Sequence, residues 1–297
     1  MTNVQEEQRL VAMRLEMLAG RALPRGDARD VALTAQWAAF ICWVDDSVDR
    51  RDPGVAAGST RRFIVPLRRV LSGDAVVPTE AEPYAEALRG LLERTTSGMS
   101  SRWRQRFAAD YVDFLDATEE ELALRRGGAR LALADYVQLR RRTITLLPML
   151  DILERTGHAL LVQDARVDDQ LADLRRAVAD IAGWANDLAS GSNDAAAGQD
   201  NLVAVVAREH GCPIVEARTR VLAMIERRRA GFRASAAAVR ATPGLPGQCG
   251  EDVRRYVDLV AAFMEATVHW LASTGRFTPG PRPGGEPESD ESCIFTH

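Results

Sequence analysis

Residues 36–50 read QWAAFICWVDDSVDR. Every side chain from Trp37 to Val44 is apolar, and the run then meets Asp45, Asp46 and Asp49. Such a stretch is too apolar for a surface helix, so it predicts a buried helix whose end opens onto something polar. Asp45 and Asp49 are four apart and share a helix face, about one turn from each other. Like charges at that spacing repel, and the macrodipole at a helix C-terminus disfavours anions. The three acids therefore cost stability unless cations neutralise them. Open carboxylates suit Mg²⁺, which binds through one or two of them together with phosphate oxygens. A solvated helix end would show the same residues, and this motif alone does not separate the two readings.

Outward from that segment the chain reads as helix almost throughout. Ala, Leu, Arg and Glu dominate, and apolar residues recur at spacings of three and four. The pattern predicts helices at roughly 4–20, 27–50, 59–72, 80–97, 100–126, 133–156, 167–192, 199–210, 213–241 and 250–274. Breaks fall at Asp52-Pro53-Gly54, Gly127-Gly128, Gly211-Cys212-Pro213 and Thr242-Pro243-Gly244. No segment alternates with period two. The expected architecture is all-α, a single-domain helical bundle over residues 1–277. From about Thr278 the chain turns to PGPRPGGEPESDES, which cannot bury a core, so 278–297 is expected to be a disordered tail.

Composition excludes several classes. A net charge of −4 lacks the basic excess that a nucleic-acid footprint needs. All 38 basic residues are arginine, so any permanently charged side chain that binds phosphate here is an arginine. Cys42, Cys212, Cys249 and Cys293 show no CxxC spacing, which predicts neither a zinc site nor a disulfide framework and suits a reducing, cytoplasmic setting. The start, MTNVQEEQRLV, carries acids early and is not expected to be a signal peptide. No stretch of about 20 uncharged apolar residues predicts a membrane span. Cys293 stands fifth from the last residue given, so CIFTH does not match a prenylation box.

A second polar cluster lies at 181–194, IAGWANDLASGSND. Asn186, Ser190 and Asp194 are spaced four and four, and such positions drift only about 40° around a helix, so their oxygens form one ladder. Amide, hydroxyl and carboxylate oxygens together make a hard-cation site. Asn, Ser and Asp are poor choices for a helix interior, and Gly191 weakens it by about 1 kcal/mol relative to Ala. The same residues also fit a helix that ends near Ser190, with Gly191-Ser192-Asn193 as its loop.

Taken as a pair, the two clusters resemble the class I terpene synthases, in their bacterial form. Asp45-Asp46-Ser47-Val48-Asp49 matches that family's DDxxD motif, and Asn186 to Asp194 resembles its NDxxSxxxE motif, with Asp194 where Glu is usual and Asn193 where a basic residue is common. Arg140, in Leu139-Arg140-Arg141-Arg142-Thr143, stands 46 residues before Asn186, where the family places a diphosphate-sensing arginine. Gly275-Arg276-Phe277, after Trp270, resembles the family's terminal Arg-Tyr pair, with Phe for Tyr. Asn201-Leu202 to Glu209-His210-Gly211-Cys212 is similar to a stretch that follows the second motif in bacterial members. The likeness spans roughly 30–277. Only 44 residues precede Asp45, as in some short bacterial diterpene synthases.

The resemblance implies a lyase that ionises a prenyl diphosphate and cyclises the carbocation. It implies Mg²⁺, three ions, held by Asp45 and Asp49 on one wall and by Asn186, Ser190 and Asp194 on the other. Asp46 lies at the substrate, Arg140 and Arg276 donate to the diphosphate, and a homodimer is the assembly common in the family. Arg141 and Arg142 carry no assigned role. Cation chemistry also needs an apolar pocket, in which aromatic faces stabilise positive charge; Phe40, Trp43, Trp184, Phe263 and Trp270 are the candidates, each equally readable as plain core. Pro148 lacks an N–H, so the Ile144 carbonyl loses its helical partner, and the resemblance places a cation-facing carbonyl at that position. Few aromatics and many alanines suggest a roomy pocket, leaning towards a C20 geranylgeranyl or copalyl-type substrate over C15 farnesyl diphosphate. The alternatives are an inactive prenyl-diphosphate-binding descendant, a non-enzymatic helical module, and a chain-elongating synthase. The last would need a second aspartate-rich motif in place of Asn186-Asp187.

Overall fold

A computed structural model describes residues 4–49, 57–74, 82–161, 167–196, 198–243, 245 and 247–277; the expected tail, 278–297, lies outside them. Twelve α-helices and one 3-10 turn make up the described secondary structure, and no strand occurs among these residues. In chain order they are α1 (Val4–Ala12), α2 (Leu15–Ala22), α3 (Ala28–Asp49), α4 (Ala57–Leu71), α5 (Glu82–Thr96), α6 (Ser101–Arg126), α7 (Leu133–Thr143), α8 (Leu146–Thr156), α9 (Asp168–Ala196), α10 (Leu202–His210), α11 (Ile214–Ala241) and α12 (Gly247–Ser273), followed by the turn Gly275–Phe277.

The bundle is organised around two long helices that carry polar ends. In α3, Leu33, Trp37, Phe40 and Val44 are buried. Trp37 is fully enclosed, donates its indole N–H to Thr95 Oγ1 at 2.8 Å, and meets Phe107 edge-on at 5.4 Å. Helix α9 packs on α11 and α12 and also touches α7, α8 and α10. Its alanines at 177, 179, 182 and 185 are fully buried. Alanines at helix contacts let backbones approach closely. They fill the bundle tightly, so alanine content is no measure of a roomy pocket.

Three expectations change. The predicted helix 4–20 is two helices, because Arg14 adopts a left-handed conformation (φ 54°) between α1 and α2. The predicted helix 133–156 is likewise broken, not kinked, at Ile144 and Thr145, the latter at φ 61°. Pro148 sits in the first turn of α8, where a missing N–H removes no helical bond. The unpartnered carbonyls near Ile144 follow from the end of α7 instead. Finally, α9 runs on through Gly191, Ser192 and Asn193 to Ala196, so the alternative of a loop after Ser190 does not hold.

A buried charge network anchors α8 behind that break. Arg175 of α9 donates to Asp151 at 2.9 Å, to the Leu147 carbonyl at 3.1 Å and to the Tyr256 hydroxyl at 2.9 Å, and pairs with Asp110. Arg106 of α6 donates to Asp151 at 2.8 Å and pairs with Glu154. Burial pushes the Glu154 carboxyl up to about 7 and that of Asp110 up to about 6, outweighing the opposing pull of the arginines.

Candidate active site

The C-terminal ends of α3 and α9 come together at one mouth of the bundle, and the turn Gly275–Phe277 closes a third side. The polar cavity between them, about 210 Å³, is lined by Asp45 and Asp46 of α3, Arg140 of α7, and Asn186, Ser190 and Asp194 of α9, with Arg276 opposite. Residues 231 positions apart in sequence are thus in contact: Arg276 donates to Asp45 Oδ2, and to Asp46 Oδ1 at 3.1 Å. Asp49 is the last residue of α3, and its side chain lies outside the described atoms.

The second wall is a connected set of oxygens. Ser190 donates to Asp194 Oδ2 at 2.6 Å, and Asn201 Nδ2 reaches the same oxygen at 3.3 Å. Asn186, two turns before Asp194 on the same helix, lines the same cavity. Burial raises the Asp194 carboxyl above its ordinary range, because charge at this depth lacks water. The donors on both walls are carboxylate, amide and hydroxyl oxygens, a set that fits a hard divalent cation such as Mg²⁺.

Arg140 is held by partners that the motif spacing did not reveal. Its Nε donates to Asp187 Oδ1 at 2.8 Å and its Nη2 to Asn186 Oδ1 at 2.6 Å. Asp187 is 2% exposed and also accepts from the Tyr136 hydroxyl at 2.9 Å and the Leu202 N–H at 3.0 Å. Burial is the largest single influence and disfavours the Arg140 charge, but the surrounding negative groups, Asp187 foremost, together outweigh it and the net shift is upward. For Arg276 burial again disfavours the charge, the carboxylates of Asp45 and Asp46 pull the other way, and the net shift is upward. Both guanidiniums are held charged. By contrast, Arg141 pairs with the buried Asp180 at 2.7 Å, and Arg142 with Asp113 and Glu120, away from the mouth.

Directly below lies an apolar cavity of about 110 Å³ that shares Asp45, Arg140, Asn186 and Arg276 with the mouth. The helix break supplies one wall through Thr143, Ile144, Thr145 and Leu146, and α12 supplies another through Phe263 and Trp270. Burial pushes the Cys42 thiol of this cavity up, which keeps it neutral. The other aromatic candidates lie elsewhere. Phe40 and Trp43 line a separate outer cavity of about 480 Å³ between α1, α3 and α5, where Trp43 stacks on Tyr84 at 3.9 Å. Trp184 is buried and does not line the apolar cavity. Around a helix buried on several sides, which neighbour a side chain meets is set by the packing, so sequence spacing could not sort these five.

Three residues were missed altogether. Asp187 stands inside the quoted motif and Asn201 just beyond it, where it caps α10 by accepting from Ala204 N–H at 3.1 Å. Arg9 of α1 reaches the mouth from the far N-terminal side, and no local pattern marks it.

Comparison with known proteins places this geometry. Residues 36–230 match the sequence family described as terpene synthase family 2, C-terminal metal binding. The chain is 29% identical to pristinol synthase of Streptomyces pristinaespiralis over 273 residues, covering 89% of this chain and 73% of that one. It is 29% identical over 290 residues to a (−)-β-caryophyllene synthase of Saccharothrix espanaensis, whose name specifies cyclisation of (2E,6E)-farnesyl diphosphate, covering 93% of this chain and 81% of the relative. The crystal structure of linalool/nerolidol synthase from Streptomyces clavuligerus superimposes with a TM-score of 0.76 at 25% identity, over 90% of this chain and 93% of that one.

Proposed function

This chain belongs to terpene synthase family 2, and from that premise we propose that it ionises farnesyl diphosphate with Mg²⁺ and closes the resulting C15 cation. The single observation that carries the reading is the meeting of Asp45, Arg276, Arg140 and Asn186 at the rim of one apolar cavity. Charge to receive a diphosphate sits at the mouth, and apolar walls to hold a cation lie directly beneath.

Asp45, with Asp49, would hold Mg²⁺ from α3, and Asn186, Ser190 and Asp194 from α9, three ions in all. Held there, Mg²⁺ would supply positive charge against that developing on the leaving diphosphate. Arg140 and Arg276 donate to the same diphosphate, and their forked geometry suits phosphate oxygens. Arg140 cannot swing away, because Asp187 fixes it. Asp46 acts here by orienting Arg276. The end of α7 near Ile144 borders the cavity, and the partial negative charge of a helix C-terminus there would favour a cation. Phe263 and Trp270 present aromatic surface to the migrating cation. Phe40, Trp43 and Trp184 take no part in this reading.

The leaning towards C20 is withdrawn. A similar protein is named for the cyclisation of farnesyl diphosphate, and alanines packed in the core, as at 177, 179 and 185, are no measure of pocket size. No helix among the described residues is long and apolar enough to cross a membrane. The test is incubation with Mg²⁺ and, separately, geranyl, farnesyl, geranylgeranyl and copalyl diphosphates, with products read by gas chromatography–mass spectrometry. A cyclic C15 product that disappears in Asp45→Ala is expected. Turnover of geranylgeranyl or copalyl diphosphate alone would overturn the chain-length assignment. No product from any of them would favour an inactive descendant.

A further inference from the structure

We infer that Arg9 is an additional diphosphate-binding residue, delivered to the mouth by α1 acting as a hinged arm; this rests on the function proposed above. Among the described residues four arginines line the polar cavity: Arg9, Arg125, Arg140 and Arg276. Arg140 is locked by Asp187 and Asn186, Arg276 by Asp45 and Asp46, and Arg125 pairs with Glu121 at 3.2 Å one turn away. Arg9 is held most loosely. Its side chain is 48% exposed and its ion pair is with Asp46 Oδ2 at 3.3 Å. Asp46 is therefore shared, one oxygen to Arg276 and the other to Arg9. A diphosphate offers more charge and a better match to a guanidinium fork than one half-shared carboxylate does. Substrate entering the mouth competes for Arg9 and wins.

The backbone supplies the means of movement. Arg14 breaks the helix between α1 and α2 in a left-handed conformation that is strained for a side-chain-bearing residue. The carbonyl of Met13, one residue before, is pinned by the Trp270 indole N–H and by Thr274 Oγ1 at 3.2 Å. That gives α1 a fixed pivot at its C-terminal end. On its outer flank lies the 480 Å³ cavity, bordered by Arg9 and Leu10, so there is room for α1 to turn. The arm is nine residues long and carries its arginine three residues from the end at the pivot. A small rotation moves the guanidinium off Asp46 and further into the cavity that both residues line, while the pivot stays bonded.

The test uses the full-length protein, Mg²⁺ and inorganic pyrophosphate, with Arg9→Gln, Arg9→Lys and, as a control on an exposed arginine outside the cavity, Arg21→Gln. Calorimetry is expected to show pyrophosphate binding weakened about tenfold in Arg9→Gln, the scale of one charge-assisted hydrogen bond, and only partly restored in Arg9→Lys, which keeps the charge and loses the fork. Hydrogen exchange across residues 4–12 is expected to slow on adding Mg²⁺ and pyrophosphate in the wild type and Arg21→Gln, but not in Arg9→Gln. Unchanged binding in Arg9→Gln would overturn the inference. So would weakened binding with no protection of α1 in the wild type, because Arg9 would then act only through Asp46. If the wild type itself shows no Mg²⁺-dependent pyrophosphate binding, the site reading fails first and takes this inference with it.

Discussion

Arg140 of α7 and Asp187 of α9 form a buried ion pair, Nε to Oδ1 at 2.8 Å. Asp187 is the neighbour in sequence of Asn186, a proposed metal ligand, which the same guanidinium touches at 2.6 Å. One residue of α9 therefore faces the cation site while the next fixes the arginine that faces the diphosphate. The pair also reaches beyond the site, since Asp187 accepts the Leu202 N–H and so fastens the start of α10.

Asp187→Ala is accordingly expected to do two kinds of damage. Removing one partner of a buried pair leaves the other charge unpaired and costs about 3–5 kcal/mol. Urea unfolding measures that loss. Steady-state kinetics on the folded fraction is expected to show a fall in kcat/KM, because Arg140 is no longer aimed. An unfolding midpoint equal to that of the wild type would show that the pair contributes no stability.

The proposed metal walls predict a separation of fold from activity. Asn186→Ala and Ser190→Ala are each expected to lower kcat/KM at least about a hundredfold, since each removes an oxygen aimed at the charged centre. Chelation with EDTA is expected to stop turnover and leave the far-ultraviolet helix signal intact. The core that holds the helices, including Trp37, Tyr111 and Tyr256, is closed away from the mouth.

Aromatic substitutions should divide by cavity. Phe263→Leu alters the wall of the apolar cavity and is expected to change the ratio of products, read by gas chromatography–mass spectrometry. Trp43→Phe lies in the outer cavity and is expected to leave that ratio unchanged. A shifted product ratio in Trp43→Phe alone would place the reacting chain on the wrong side of α3.

Stability should depend on pH through the network behind α8. Glu154, raised to about 7, and Asp110, raised to about 6, bind protons in the folded state that the unfolded chain has already released. A raised carboxyl favours the folded state at low pH, so this contribution to stability falls as pH climbs from about 4.5 through about 7. Glu154→Gln is expected to flatten the upper part of that fall, measured as denaturant midpoints across the same range. A curve identical to the wild type's would remove Glu154 as its source.

By itself, the sequence determined most of the helices and marked the two polar clusters at the ends of α3 and α9. Both are local properties: helix propensity and apolar spacing act within a few residues, and side chains four apart share a face wherever the helix goes. Thus Asn186, Ser190 and Asp194 could be read as sharing one helix face, and all three line the polar cavity. The long-range partners were decided only by tertiary structure. Arg276 meeting Asp45 across 231 positions, Arg9 meeting Asp46, and Tyr136 meeting Asp187 all depend on how separate helices pack. The same holds for which aromatics face the cavity, because α3 is buried on several sides and periodicity does not say which neighbour lies where. The break at Thr145 was out of reach for a related reason: a left-handed residue that is not glycine is locally unfavourable, and it persists because the packed helices on either side hold it there.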